Sequence, residues 1–437
     1  MGLIAHHGAQ WRLLAVLAAL GIAEDAWAAG FQLREQSAEG LGNAYAGATA
    51  KASDPSTIFY NPAGMTRLEG NQASMSATWI APVAKFKGEN TTVYGATSGG
   101  QGGDAINDAA VAAGYAMFSI NPDWKFGVAL TAPFGLSTEY KSDWVGRYQT
   151  IKSEIININV TPSVAYRVND RLSIGGGVQF GYAESTLTKA INVGGILGMA
   201  LGSPVALPLE DGQSAMTGNG LAAGFDLGLL YEFAPTTRLG VNWRSQMTYT
   251  LKGDIAFGNI PAMMAAALPN GSVKADVTLP DTVTIGFYHE ISPQWAVMAD
   301  IAWTNWSTFD EIRIKYTAID HEDLVTTENW KDTWFYSLGL TYKLDDKNRF
   351  QFGVAYDGSP VDIETRRAGI PDANRYWLST GYTYTMNPKT SFNIAYAHIF
   401  CDSVAIHEGD ANSAAGLLTG EYSGHVDIVS AGFVSKF

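Results

Sequence analysis

The chain has 437 residues, a formal net charge of −14 and one cysteine, Cys401. The acidic balance argues against nucleic acid, which rewards basic surfaces, and a single cysteine excludes an internal disulfide and any thiolate metal cluster. Charged residues make up only 16% and aromatics 12%, unusual for a soluble exported protein and ordinary for a barrel that faces lipid.

Residues 1–28 read as a secretory signal. Arg12 and the amino terminus supply positive charge, and Leu13 to Ile22 form an apolar run about half the roughly 20 residues a membrane helix needs. Ala26-Trp27-Ala28 gives the small-x-small cleavage pattern, so the mature chain is expected to begin at Ala29. No later apolar run reaches the length of a spanning helix.

Residues 29–71 do not alternate. Their small residues and the Asn61-Pro62-Ala63 turn suit a compact plug, or hatch, better than a membrane strand. From residue 72 to 437 the period changes to two. Ile156, Ile158, Val160, Pro162, Val164 and Tyr166 share one face, with Asn157, Asn159, Thr161, Ser163 and Ala165 on the other. Leu172, Ile174, Val178, Phe180 and Tyr182 repeat the pattern against Ser173, Gly175, Gly177, Gln179 and Gly181. A transmembrane barrel turns such an apolar face to lipid and the polar, small face to its lumen; a soluble sandwich would bury it. Turn signals choose between them. Asn121-Pro122-Asp123, Asn169-Asp170-Arg171, Ala234-Pro235-Thr236, Ser292-Pro293, Asp345-Asp346-Lys347 and Asn387-Pro388-Lys389 lie far enough apart for two strands and one longer loop between successive turns. Six short turns and seven long loops predict an all-β fold, a 14-stranded antiparallel transmembrane barrel holding a small N-terminal hatch. The closing strand ends at Phe437, a terminal aromatic of the kind outer-membrane assembly machinery recognises.

Three segments depart from regular strand pattern. Thr131-Ala132-Pro133-Phe134-Gly135-Leu136 puts proline and glycine inside the third strand, where one removes a ladder donor and the other weakens the strand, so a bulge or break is expected at Pro133, Phe134 and Gly135. Unpaired backbone within a bilayer is tolerated only where protein buries it or it lines a cavity. Two long loops are oddly apolar, one with Leu197, Met199 and Leu201, the other with Ile260, Met263 and Met264. Such patches in water mark docking or a lid, and methionine packs adaptably around varied apolar shapes.

These features resemble the long-chain fatty acid outer-membrane transporters, the FadL-type family. The residues that carry the likeness are Gly30-Phe31-Gln32-Leu33, Gly40-Leu41-Gly42 with Ala44-Tyr45 and Gly47, Asn61-Pro62-Ala63, and Ser359-Pro360 through Ile370-Pro371-Asp372 to Arg375-Tyr376-Trp377-Leu378-Ser379. The resemblance implies outer-membrane localisation and passive uptake of hydrophobic small molecules. Substrates would be captured on the apolar loops, bound inside, and released sideways to outer-membrane lipid and lipopolysaccharide through a kinked third strand. It implies a ligand pocket of Phe31, Leu187, Lys189 and Asp357, with Lys189 near the head group, and no cofactor or metal. One departure stands out: where fatty-acid members carry a second basic pocket residue, this chain has Thr326. The neutral hydroxyl keeps fatty acids as the leading substrates and brings in aromatic hydrocarbons as the alternative.

A general diffusion porin is a third reading, disfavoured because so many residues go to a plug. An enzyme would need a nucleophile and base within hydrogen-bond reach. The five histidines beyond the leader sit in no nucleophile motif, and His321-Glu322-Asp323 and His407-Glu408 are expected in loops.

Overall fold

A computed structural model describes residues 30–437; the leader reading and its cleavage site lie outside them. The antiparallel strands close on themselves. The first, Gln72–Thr92, pairs with the last, Gly416–Lys436, from Gln72↔Lys436 to Thr91↔Leu417. Between them run the second strand Ala109–Ser119, the third Trp124–Thr131 resuming at Gly135–Glu139, the fourth Lys152–Arg167 and the fifth Leu172–Ile191. The sixth is Gly212–Ala234, the seventh Thr237–Arg244 with Met247–Gly258, and the eighth Gly271–Leu279 with Thr282–Glu290. The ninth is Trp295–Thr304 with Glu311–Tyr316, the tenth Leu324–Thr327 with Thr333–Lys343, and the eleventh Asn348–Asp357. The twelfth is Arg375–Asn387 and the thirteenth Thr390–Cys401 with Val404–Asp410, which makes the closing strand the fourteenth. All six predicted turns join successive strands.

The inside-out pattern holds. Ile156, Ile158, Val160 and Val164 are exposed while Asn157, Asn159, Thr161 and Ser163 are buried. That is the reverse of a soluble sheet, and it gives the outer surface an apolar band. Among the described residues no helix is long and apolar enough to cross a membrane; the crossing is made by strands.

Residues 30–71 fold into short turns of helix, Ala38–Gly42, Ala48–Lys51 and Thr57–Tyr60, followed by the tight 3₁₀ segment Pro62–Arg67. Ser37 caps the first by accepting from the Gly40 N–H at 3.1 Å. These turns rest on lumen-facing side chains. The Asp300 carboxylate of the ninth strand accepts from Gly47 N–H at 2.8 Å, Thr49 N–H at 3.1 Å and Thr49 Oγ1 at 2.7 Å. Asn61 donates to the carbonyls of Thr49 and Leu229, while its own Oδ1 accepts from Ala63 N–H. The expected Asn61-Pro62-Ala63 turn is therefore a fastening point. It is possible because Gly228 stands opposite: a Cβ there would lie 2.1 Å from Asn61 Oδ1. Glu39 joins the set, ion-paired to Lys51 at 2.5 Å and Arg349 at 3.0 Å.

Two elements differ from expectation. The apolar loop after the fifth strand contains a helix, Val193–Ala200, and His407-Glu408 lies in the strand Val404–Asp410 rather than in a loop. Backbone pairing with the closing strand, from Val404↔Tyr422 to Asp410↔Gly416, extends the ladder there, and the Glu408 side chain accepts from the Ala368 N–H at 2.7 Å.

Candidate ligand cavity and wall break

The third strand breaks where expected. Thr131 pairs with Asn159 and Gly135 with Ile156, four residues against three, so Ala132–Phe134 carry one residue too many for a regular ladder. On its other side the ladder with the second strand stops at Gly114↔Leu130, and the next bridge is Ile106↔Thr138. The missing partner comes from inside. Leu33 N–H donates to Pro133 O at 2.8 Å, and Gly135 N–H donates to Phe31 O at 2.9 Å. The Gln36 amide completes the pairing by donating to Ala132 O at 2.8 Å and accepting from Ala132 N–H at 3.1 Å. Backbone that would otherwise be orphaned within a membrane wall is thus satisfied by the N-terminal segment.

Phe31, which makes this pairing, is 4% exposed and sits in an aromatic box. Its ring lies 5.0 Å from Trp306, 5.7 Å from Phe309 and Trp330, and 6.1 Å from Phe134, all at steep edge-to-face angles. Such geometry suits the ring quadrupoles. Trp330 Nε1 donates to Glu328 at 3.1 Å; burial pushes that loop carboxyl up to about 7, against the pull of Arg367. The backbone just before Phe31 is held too: Gly30 N–H donates to Asp372 Oδ2 at 3.0 Å, and Arg375 pairs with the same carboxylate at 3.1 Å.

Two cavities meet at Phe31. The smaller is lined by Phe31, Leu136, Leu187, Met216, Phe309 and Ile312 among others, and is mostly apolar. The larger touches lumen-facing Ile399, Ile428 and Arg375 and also Leu130, Ile156 and Ile158 of the outer surface. It therefore runs through the wall at the break.

The predicted site residues separate into two groups. Phe31 and Leu187 share the smaller cavity, and Thr326 stands opposite Ile312, which lines it. Lys189 follows Leu187 on the same lumen face but is exposed rather than buried, with no ion pair within 4 Å among the described residues. Asp357 is buried elsewhere, with Arg34 and Arg375 as its cationic neighbours. Lys189 and Asp357 line neither cavity, so they are not brought to Phe31 in this state. Glu35, Gln36, Trp306 and Phe309 were missed. Trp306 and Phe309 lie in the run Asn305-Trp306-Ser307-Thr308-Phe309, which interrupts the ninth strand, but aromatic residues are common in strands and do not mark the interruption in the sequence.

At the long-loop end the two apolar loops pack on each other. Leu197 and Met264 are buried together with Ile191 and Val193, with Ile260 against them. Met199, Leu201 and Met263 remain exposed on the outside of this pair.

Residues 19–437 match the family model described as "Outer membrane protein transport protein (OMPP1/FadL/TodX)". A "Long-chain fatty acid transport protein" of Salmonella typhi is 32% identical over 413 residues, covering 91% of this chain and 93% of that protein. The crystal structure of a Pseudomonas aeruginosa FadL homologue has a TM-score of 0.86 at 23% identity, covering 94% of this chain and 100% of the other. The Ralstonia pickettii toluene transporter TbuX has a TM-score of 0.64 at 19% identity, covering 91% and 99%. These structural likenesses establish the fold. The chain is thus an outer-membrane barrel, and it belongs to the OMPP1/FadL/TodX family, whose members are transport channels and not enzymes.

Proposed function

We propose that this protein takes up hydrophobic molecules passively across the outer membrane, with long-chain fatty acids as its principal substrates. Residues 1–28 direct export and are removed, residues 29–71 act as a hatch, and residues 72–437 form the conduit. Phe437, exposed at the end of the last strand, is the contact for assembly machinery. The exposed Met199, Leu201 and Met263 catch substrate, which passes into the cavity at Phe31 and Leu187. Lys189, two residues further along the lumen face, meets an incoming carboxylate. Thr326 and Asp357 shape the polar surroundings. Occupancy displaces Phe31, and substrate leaves sideways past Pro133, Phe134 and Gly135 into the lipid and lipopolysaccharide of the membrane.

One observation carries this reading: Phe31 both lines the cavity and completes the broken third strand. A molecule that takes the space of its ring disturbs the pairing that covers the break. The sequence relatives favour fatty acids, since the Salmonella typhi protein carries that name. Aromatic hydrocarbons are the second reading, favoured by the box of Trp306, Phe309 and Trp330 and by the neutral Thr326.

The test is Phe31→Ala, followed by uptake of radiolabelled oleate and of toluene in cells and by tryptophan fluorescence of purified protein. Wild type should change the emission of Trp306 and Trp330 on adding oleate. Removing four edge-to-face contacts, each about 0.5 to 1.5 kcal/mol, should lower uptake at least tenfold while the barrel still assembles. Undiminished uptake would sink the reading, and a response to toluene alone would select the second substrate class.

A further inference from the structure

The break in the third strand leaves two raw edges, and the N-terminal segment covers only one of them. At the turn, Ile120 N–H donates to Trp124 O at 3.0 Å beside the pair Ser119↔Lys125. That contact fixes the alternation: even-numbered residues of the second strand turn N–H and C=O toward the third strand, odd-numbered ones toward the first. The ladder between the second and third strands stops at Gly114↔Leu130, so the next exchange would join Ala112 to Ala132. It does not form. Ala132 gives both groups to the Gln36 side chain, whose Nε2 donates to Ala132 O at 2.8 Å and whose Oε1 accepts from Ala132 N–H at 3.1 Å. Ala112 has lost its partner, and so has Ala110 beyond it. Pairing across the gap resumes only where Asn107 N–H donates to Ser137 O at 2.9 Å. Among the described residues nothing takes the N–H or C=O of Ala110 or Ala112 on that side.

These bare groups lie within the wall. Ala110 and Ala112 line the larger cavity with Leu130, Ile156 and Ile158, and Trp79, opposite Ala110 on the first strand, is 51% exposed. Unpaired backbone at membrane depth is costly and is kept only where it lines a cavity. Gln36 shows what fits such an edge. A carboxamide carries one donor and one acceptor on a single carbon, so it satisfies both groups of one residue. A neutral carboxylic acid carries the same pair in the same arrangement; a carboxylate has lost the donor, and a hydrocarbon has neither. The charges of the cavity select the same form. Its ionisable lining is Glu35, Asp108, Glu154 and Arg375. Arg375 is already paired with Asp372, and Glu154 with Lys152 at 3.3 Å. An ionised head would therefore meet carboxylates and no free cation in that lining.

We propose that the second-strand edge at Ala110 and Ala112 is a binding rail for the neutral carboxyl head of a departing fatty acid, which crosses the wall protonated while its tail enters the membrane. Such a rail rests on the sideways exit proposed above and adds the protonation state in which the acid leaves.

The test uses full-length protein folded in neutral detergent micelles with oleic acid labelled at its carboxyl carbon. Infrared difference spectra against protein-free micelles are taken at about pH 8, where an ordinary carboxylate is ionised. Wild type should add a hydrogen-bonded neutral carboxyl band. In A110P/A112P that band should fall about tenfold, roughly 1.4 kcal/mol. Each proline removes an N–H that faces the gap and none that pairs with the first strand, a placement strand edges tolerate. A110V/A112V keeps both N–H groups beside side chains of similar bulk and should keep the band. Oleamide, which holds donor and acceptor at every pH, should displace the labelled acid more readily than octadecene does. A carboxylate band alone in wild type, an unchanged band in A110P/A112P, a lost band in A110V/A112V, or equal displacement by oleamide and octadecene would each overturn the rail. The exit route is read separately, by cellular uptake of oleate after Pro133 is deleted together with G135T. Undiminished uptake there would overturn the sideways exit even with the wild-type band present, whereas abolished uptake with no wild-type band would overturn the rail alone.

Discussion

Glu35 lies in the N-terminal segment between the cavity residue Phe31 and the latch residue Gln36, and it is 5% exposed. Burial raises its pKa from 4.5 to about 7, with Arg375 and Arg34 opposing and Asp357 adding to the rise. The sign follows directly. A carboxyl whose folded pKa is raised favours docking of the segment below about pH 4.5, where it is protonated either way. That contribution fades as pH rises through about 7, when the docked form must hold a buried charge. The difference amounts to about 3 kcal/mol at most, at 1.36 per unit. The segment should therefore be held more tightly at pH 5 than at pH 8. Hydrogen exchange of the Leu33 and Gly135 amides should accelerate with pH beyond the ordinary base-catalysed slope, and Glu35→Gln should flatten the excess. No excess in wild type would contradict the account. Glu35 was not legible in the sequence, because burial of a carboxyl depends on how a non-periodic segment packs, which no spacing encodes. Leu187, Lys189 and Asp357 came from the family resemblance, and all three also fall on the odd-numbered, lumen-facing side of their strands. Parity assigns a face but not which residues on it share a cavity, so Asp357 went to the arginines and not to Phe31.

At the scale of elements, the strands and six turns were readable because each strand meets two solvents, lipid and lumen, and its period records the difference. The third-strand break was readable for the same reason, since proline and glycine violate the ladder. The ninth-strand interruption at Trp306 was not, because aromatic residues are at home in strands. How the N-terminal turns seat on the wall depends on missing side chains. Gly240 shows this: a Cβ there would lie 2.0 Å from the Thr49 carbonyl oxygen, which belongs to the backbone that Asp300 and Asn61 hold. Backbone cannot yield as a flexible side chain can, so Gly240→Ala should cost about 1 to 3 kcal/mol of docking. Because the seventh strand keeps its pairing with the sixth and eighth, the barrel should still fold. Planar-bilayer recordings should then show larger or more frequent ion currents than wild type, with normal heat-modifiable mobility on gels. Silent bilayers would mean that the segment is not what blocks the conduit.

For the molecule as a whole, the question is which way substrate leaves. The segment is fastened toward the short-turn end at Asn61, Thr49, Glu39 and Arg349, whereas among the described residues the backbone at the break in the third strand is paired by Phe31, Leu33 and Gln36. Two backbone hydrogen bonds and one side-chain amide are a smaller obstacle than release of every fastening, so the proposed side route is expected to have the lower barrier. Counting residues shows how to close it. Between Thr131↔Asn159 and Gly135↔Ile156 the third strand has one residue more than the fourth. Deleting Pro133 together with G135T should therefore let the two strands pair without interruption and restore the missing donor. The Phe134→Ala variant separates this effect from loss of the ring beside Phe31. If exit is lateral, the continuous strand should still bind oleate within a few-fold of wild type, yet uptake into cells should fall at least tenfold, about 1.4 kcal/mol of barrier. Phe134→Ala should weaken binding and leave the route open. Undiminished uptake through an unbroken wall would require an axial path, and the pairing of Phe31 with the third strand would then be a structural stitch and not a gate.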